Sequence, residues 1–277
     1  MTLLLGQTYA DGVRVIVTGG SSGIGAEIAR QYAERGAKVA LFARRRDKLE
    51  AVAAECRARG AAEALVVVGD TTDCARVAEA CRELTQAWGG VDRAFLNAGG
   101  YDVGDPIAMQ RARDVEWTTL GFRAAAAEAV MRVNYVGVTY WLEALLPVMR
   151  AQGNGTIAVT GAQTADRGFP AHGPYAASKA AVRALCDSLR PDAARFGVTI
   201  SLIEPGCVES ELTANHCCDS MPFLQPTAKA VSKFIAGVED GRAVVRWPIQ
   251  SSLSSRFAAA VPRPLFDKWA KSRLPRV

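Results

Sequence analysis

The stretch "VRVIVTGGSSGIGAEIARQYAERG", residues 13–36, changes its pattern once, and the change decides the fold. Its first seven residues, VRVIVTG (13–19), are dominated by β-branched side chains and end in glycines, as a buried strand does. From Ile24 onward, Ile24, Ile28, Ala29 and Tyr32 recur at helical spacing until Gly36 stops the run. Between the two lies TGGSSGIG (18–25). In that setting Gly19 permits a tight turn, Gly23 lets the backbone approach a pyrophosphate, and Gly25 lets helix and strand pack closely. The amides of the first helical turn then face an anion. A glycine triplet alone describes many turns; the strand before it and the helix after it make this one a dinucleotide loop.

Outward from that unit the alternation continues. AKVALFA (37–43), ALVVVGD (64–70), VDRAFLNAG (91–99), GTIAVTG (155–161) and VTISLIEPG (198–206) read as strands. Helical patterns separate them at 47–60, 74–90 and 130–153, and from about Pro174 through YAASKAAVRALCDSL. Pro191 is expected to end or kink that last helix, because it lacks an N–H and clashes one turn back. The pattern predicts an α/β fold: a doubly wound parallel sheet with helices on both faces and right-handed crossovers. No repeat or linker interrupts it, so residues 1–277 are expected to form one domain.

Charge and cysteines narrow the function classes. The net charge of +5 comes with no basic block longer than Arg44-Arg45-Arg46, which suits one phosphate and excludes a nucleic-acid arm. Seven cysteines, an odd number with no Cys-x-x-Cys, predict reduced thiols in a cytoplasmic protein. His216-Cys217-Cys218 lacks a second ligand pair at zinc-like spacing, so no metal is expected. The opening MTLLLG does not read as a signal peptide, and no run approaches the roughly 18 apolar residues of a membrane span.

The second strand chooses the dinucleotide. A carboxylate near its end would accept from the ribose 2′-hydroxyl of NAD. Here the strand ends LFARRRDK, with Ala43 at the acidic position and Arg44 after it. A guanidinium grips a 2′-phosphate through charge-assisted bonds, whereas a carboxylate repels it. The expected cofactor is therefore NADP(H), held by Arg44, while Arg46 reads as a solvated residue.

With these motifs in place the chain resembles the classical short-chain dehydrogenase/reductase family from Val13 to about Leu212. TGGSSGIG matches its cofactor loop and LNAG (96–99) its Asn-Ala-Gly motif. VNYVG (133–137) matches its asparagine-bearing helix, YAASK (175–179) its active-site pair and EPGCVES (204–210) its Pro-Gly stretch. The resemblance implies a Rossmann-like sheet of about seven strands, a homodimer or homotetramer, and exchange between a small-molecule ketone and a secondary alcohol. It implies cofactor contacts from Gly19, Ser21, Ser22, Gly23, Ile24 and Gly25. Further contacts are implied from Asp70 and Thr71 at the adenine, from Asn97, Ala98 and Gly99 beside the ribose, and from Pro205, Gly206, Val208 and Ser210 at the nicotinamide. Tyr175 would be the proton donor or acceptor, Lys179 would hold the nicotinamide ribose, and Asn134 would anchor a water leading to that lysine.

The tyrosine–lysine pair has its own chemical logic. Four residues apart on a helix, Tyr175 and Lys179 share a face. A free phenol titrates near ~10, and an adjacent ammonium lowers that value, which brings the acid closer to working pH.

One part of the pattern is missing. The family's serine lies thirteen residues before the tyrosine, and position 162 is alanine. Losing one such hydroxyl donor typically costs about 10²–10³ in rate. Thr164 is the better replacement, because the oxygen must reach past the strand end; Thr160, on the same strand face as Ala162, is the other. Gln163 should face away, and His172 is a loop histidine close to the substrate or without a role. If nothing replaces the serine, the protein is an impaired member that binds a nucleotide in a regulatory role.

Three segments remain. The interval from Gly99 to Asn134 is longer than the family's, and its surplus (111–129) would lengthen a helix, form a flap or make a subunit contact. A substrate loop is expected at about 207–231 and a C-terminal extension at about 247–277. That extension sets Leu253, Phe257, Val261, Leu265, Phe266 and Trp269 among basic residues. It would complete a core or interface, close over an apolar substrate, or touch an anionic membrane peripherally. Such tails resemble those of 3-ketosphinganine reductases, which points to an apolar or lipid-like substrate.

Overall fold

A computed structural model describes residues 12–100, 123–170, 172–214 and 222–273. Apolar runs without alternation form strands that are buried on both faces. They are β1 (Arg14–Thr18), β2 (Lys38–Ala43), β3 (Glu63–Val68), β4 (Arg93–Leu96), β5 (Gly155–Thr160), β6 (Val198–Pro205) and β7 (Val244–Trp247). They pair in parallel in the order β3-β2-β1-β4-β5-β6-β7. In this Rossmann-like domain β1 carries Val17 opposite Leu41 on one side and Phe95 on the other. The chain winds outward from β1 to β3, crosses back, and winds the other way from β4. The crevice beyond the carboxyl ends of β1 and β4 is the topological switch point, where ligands bind in such sheets.

Helices cover both faces. On one, α1 (Gly23–Ala33) and α2 (Arg46–Ala58) pack with Tyr32, Leu49 and Val52 against Val15, Val39 and Phe95. On the other, α3 (Cys74–Trp88) brings Leu84 to Ile16 and Leu96. The helix expected over 130–153 starts earlier and is not uniform. α4 (Ala124–Met131) leads into a π-helical turn, Arg132–Val136, and then α5 (Gly137–Gln152). The last residues of the surplus segment thus lengthen a helix, while 111–122, with Trp117 and Phe122, lie outside the described residues.

Of the two outcomes expected at Pro191, the helix end is corrected. α6 (Gly173–Ala194) passes through it and ends three residues later. Arg190, one residue before the proline, donates to the carbonyls of Ile200 (3.1 Å) and Ala243 (3.1 Å), and Ala193 is buried beyond it. These tertiary contacts hold the last turn despite the missing N–H.

Four shorter or later helices complete the chain: α7 (Glu211–Ala214), α8 (Thr227–Glu239), α9 (Ile249–Ala260) and α10 (Arg263–Arg273). Phe234 and Ile235 of α8 join the core beside α1. Met1–Asp11, residues 215–221 with His216, Cys217 and Cys218, and residues 274–277 lie outside the described residues. Among the described residues no helix is long and apolar enough to cross a membrane and no metal-binding cluster occurs. Cys56, Cys74, Cys81 and Cys186 are free thiols.

Candidate active site

A cleft of about 870 Å³ opens at the carboxyl ends of the strands. Every residue expected at the site lines it except Gly25 and Asn134, which stand behind its wall.

The loop after β1 turns at Gly19, whose φ of +66° suits glycine. A side chain at Gly25 would meet the Gly19 carbonyl oxygen at 2.3 Å, so this glycine is required for close packing. Ser22 caps α1 without a side-chain hydrogen bond, leaving the first-turn amides free for an anion. Thr18 on β1 fixes the neighbouring loop. Its Oγ1 accepts from the amides of Asn97 (2.9 Å) and Ala98 (3.0 Å), which sets the Asn-Ala-Gly turn beside the glycine loop.

At the end of β2, Arg44 is largely exposed and, among the described residues, pairs with Asp70 at 3.8 Å. Arg45, which the sequence reading passed over, is the better-placed guanidinium. It donates to Ser21 Oγ (2.9 Å), Ser22 Oγ (2.9 Å) and Glu211 of α7 (2.9 Å). The arginine triplet was the available signal, but sequence could not say which member turns inward. Asp70 also accepts from Thr72 through its amide (2.8 Å) and hydroxyl (2.9 Å), which shapes the turn next to Thr71.

Around Tyr175 three elements converge. α6 carries Tyr175, Ser178 and Lys179, with Pro174 in its first turn. Lys179 is buried, and its Nζ donates to the Thr160 carbonyl (2.7 Å) and lies 5.7 Å from the Tyr175 ring centroid. Burial lowers its pKa to about 8. The π-helical turn places Asn134 in full burial. Asn134 Oδ1 accepts from the Gly100 amide (2.9 Å), and its Nδ2 faces the Gly100 carbonyl (3.0 Å) and Ser178 Oγ (3.0 Å). Ser178 is a second residue that sequence alone missed; it links the asparagine to the helix that carries Tyr175.

Ala162, at the expected serine position, is buried and presents only a methyl group. Of the two candidate hydroxyls, Thr160 Oγ1 is engaged with Asn97 Oδ1 at 3.2 Å. Thr164 Oγ1 is shut off from solvent and meets no hydrogen-bond partner among the described residues, while its residue lines the cleft. Gln163 turns away towards the sheet, as expected, and donates to the Glu204 (3.2 Å) and Trp247 (3.3 Å) carbonyls. His172 lines the cleft, with Nδ1 2.8 Å from the Pro170 carbonyl.

The C-terminal extension folds over this end. Trp269 and Ala258 line the cleft, and Phe169, Phe266 and Trp269 form an aromatic cluster with centroids 5.4–6.2 Å apart. Arg167 stacks on Phe266 at 3.9 Å. Leu253, Phe257 and Leu265 remain exposed on the outer side.

The short chain dehydrogenase family profile matches residues 13–219. The chain belongs to the short chain dehydrogenase family. An oxidoreductase of Myxococcus xanthus (strain DK1622) is 34% identical over 256 residues, covering 92% of this chain and 95% of its own. Levodione reductase of Leifsonia aquatica is 33% identical over 224 residues, covering 80% and 78%. A crystal structure of levodione reductase superposes with a TM-score of 0.76 at 26% identity, covering 92% of this short chain dehydrogenase and 100% of that chain. The family makes this protein an oxidoreductase that uses a nicotinamide cofactor.

Proposed function

We propose that this short chain dehydrogenase uses NADP(H) to interconvert a ketone and a secondary alcohol on an apolar substrate, with Thr164 in the role of the absent serine. The observation that carries this reading is that Thr164 lines the cleft that also holds Tyr175 while its buried hydroxyl meets no hydrogen-bond partner among the described residues. A buried hydroxyl without a partner is costly, and a χ1 rotation that turns it out to the cleft would let a substrate oxygen satisfy it.

The residues present fit a dinucleotide: an uncapped helix start faces the cleft, and two guanidiniums stand at the end of β2. A bound nicotinamide would supply or take up the hydride. The chain's part is to orient the substrate and move the proton. Thr164 Oγ1 donates to the substrate oxygen and fixes the carbonyl. In reduction, Tyr175 gives that oxygen its phenolic proton, and the Lys179 ammonium stabilises the phenolate left behind. Asn134, held by Gly100 and Ser178, anchors the route by which the proton is replaced. Arg44 and Arg45 take the 2′-phosphate. Val133, Phe169, Pro222, Ala258 and Trp269 supply apolar walls suited to a greasy ketone, and a relative bearing the name levodione reductase agrees with the reductive direction.

NADPH oxidation against a panel of cyclic and long-chain ketones tests the reading, with Thr164→Val and Tyr175→Phe beside the native enzyme. Turnover that falls in both variants supports it; equal background rates in all three proteins would remove it.

A further inference from the structure

Ala162 and Thr164 differ in what holds them. β5 ends at Thr160, and the Gly161 amide still bonds the Ile203 carbonyl at 2.7 Å, so a side chain at 162 inherits its position from the sheet. Thr164 lies beyond that last ladder bond, on the 3₁₀ turn Gln163–Asp166. Its backbone is tied to the strand end by the bond from the Ala165 amide to the Ala162 carbonyl (3.1 Å), and so short a turn takes its orientation largely from side-chain contacts.

Those contacts come from three directions. Asp166 Oδ1 accepts from Arg183 of α6 (2.8 Å), and its Oδ2 accepts from Ser255 of α9 (2.7 Å) and pairs with Arg246 of β7. Glu204 of β6 completes the ring, receiving Arg183 Nε (2.6 Å) and Arg246 Nη1 (2.7 Å). Arg246 reaches on to Ser252 (2.9 Å) and Ser255 (2.9 Å). Next to the turn, Arg167 donates to the carbonyls of Ala258 (2.9 Å) and Val261 (2.6 Å). Two carboxylates and two guanidiniums thus cancel in charge where Asp166 is 8% and Glu204 1% exposed. Burial works against the Asp166 charge, but bonds from Arg246 and Ser255 outweigh it and hold the carboxyl below its ordinary range; burial pushes Glu204 up.

Stability alone does not account for such a cluster, because well-packed apolar side chains join elements at least as firmly as a buried ion ring. What the ring adds is direction: its bonds fix the turn in one orientation. We propose that Asp166, held by Arg183, Arg246 and Ser255, is a positioning residue that fixes the turn carrying Thr164 at the cleft, replacing the sheet anchorage a serine at 162 would have had. This rests on the reading that Thr164 supplies the hydroxyl.

The test compares Asp166→Asn and Thr164→Val in the native chain and in an Ala162→Ser background. In the native chain Thr164→Val should lower kcat about 100-fold and Asp166→Asn about 10-fold, with the NADPH Kd from fluorescence titration unchanged in both. In the Ala162→Ser background both losses should shrink to less than about threefold, since the strand-borne serine does not depend on the turn. An equal Asp166→Asn loss in both backgrounds would overturn the proposal, because the residue would then act through general folding. A Thr164→Val variant with native kcat would instead remove the functional reading beneath it. If Asp166→Asn does not fold, Ser255→Ala removes one bond from the same carboxylate and carries the same comparison: a smaller loss rescued by Ala162→Ser supports the proposal, and a loss that is not rescued, or none, overturns it.

Discussion

The two ends of the cleft are built from different materials. At the dinucleotide end the working parts are mainly backbone: the amides of the loop after β1, the turn at Asn97–Gly99 pinned by Thr18, and the start of α1. At the substrate end they are side chains that meet from distant elements: Thr164 on its turn, Asp166 with its two arginines, and Phe169 against Phe266 and Trp269. Backbone parts are dictated by where strands stop and glycines fall, so they are inherited with the fold. Side-chain parts can be exchanged, and on the proposed reading the hydroxyl expected at 162 has moved to Thr164.

The sharpest way to break this comparison is at Tyr175, the proposed proton donor. Tyr175→Phe should lower kcat by about 10³ while leaving the dinucleotide Kd within twofold, as befits a group that acts only on the proton. Stopped-flow hydride transfer and fluorescence titration measure the two separately. Parallel losses in both would mean that the phenol is part of the dinucleotide's own seat and that the two ends are not separable.

Lys179 sits on the seam, and its burial makes a prediction about pH. Its folded-state pKa of about 8 lies below the ordinary 10.5, so the unfolded chain holds more protons between those values. The cost of burying the ammonium is therefore fully present below pH 8 and fades as pH rises towards 10.5. Lys179→Met should unfold at higher urea than the native protein at pH 7, by up to about 3 kcal/mol less the lost bond to Thr160. The advantage should vanish near pH 10.5. A variant that is less stable at pH 7 would show that the amine's bond to the Thr160 carbonyl outweighs its desolvation.

Arg44→Ala should raise the NADPH Kd about 10- to 100-fold, the worth of charge-assisted bonds to a phosphate, and change NADH by less than threefold. Arg45→Ala should weaken both, because Arg45 also braces Ser21 and Ser22 of the loop. Calorimetric titration with each dinucleotide distinguishes the two arginines. Equal losses of NADPH and NADH at Arg44 would remove the 2′-phosphate assignment.

How much of this was legible in the sequence follows the same division. The strand–loop–helix unit at 13–36, the parallel character of the sheet and the Tyr175–Lys179 face could be read because local periodicity, strand–helix alternation and glycine spacing specify them, whereas β7 was not read as a strand. Thr164 could be preferred from its place past the strand end, but the bond that engages Thr160 runs to Asn97, 63 positions away, and has no local signature. Arg45 was hidden among three arginines, and the Asp166–Arg246 pair spans 80 positions. Pro191 misled for a related reason: Arg190 is tied to Ile200 and Ala243, and those contacts override a local breaker. The π-helical turn at Asn134 leaves no trace in a period count.

The smallest predicted effect probes a side chain that reaches towards the dinucleotide loop from beyond the Pro-Gly stretch. Glu211, on α7 beyond the Pro-Gly stretch, pairs with Lys48 of α2 and accepts from Arg45 Nη1 at 2.9 Å. Bonds from Lys48 and then Arg45 hold its carboxyl at about 2, so it is charged at every working pH. It thus competes with a 2′-phosphate for the same guanidinium. Both partners are half-exposed, and such pairs are worth no more than about 1 kcal/mol. Glu211→Gln should accordingly tighten NADPH by no more than about fivefold, leave NADH nearly unchanged, and lose its effect at ~1 M salt, where exposed charges are screened. If the variant binds both dinucleotides more weakly, the carboxylate is a strap that holds α7 over the loop, and side-chain construction extends into the end of the cleft assigned here to backbone.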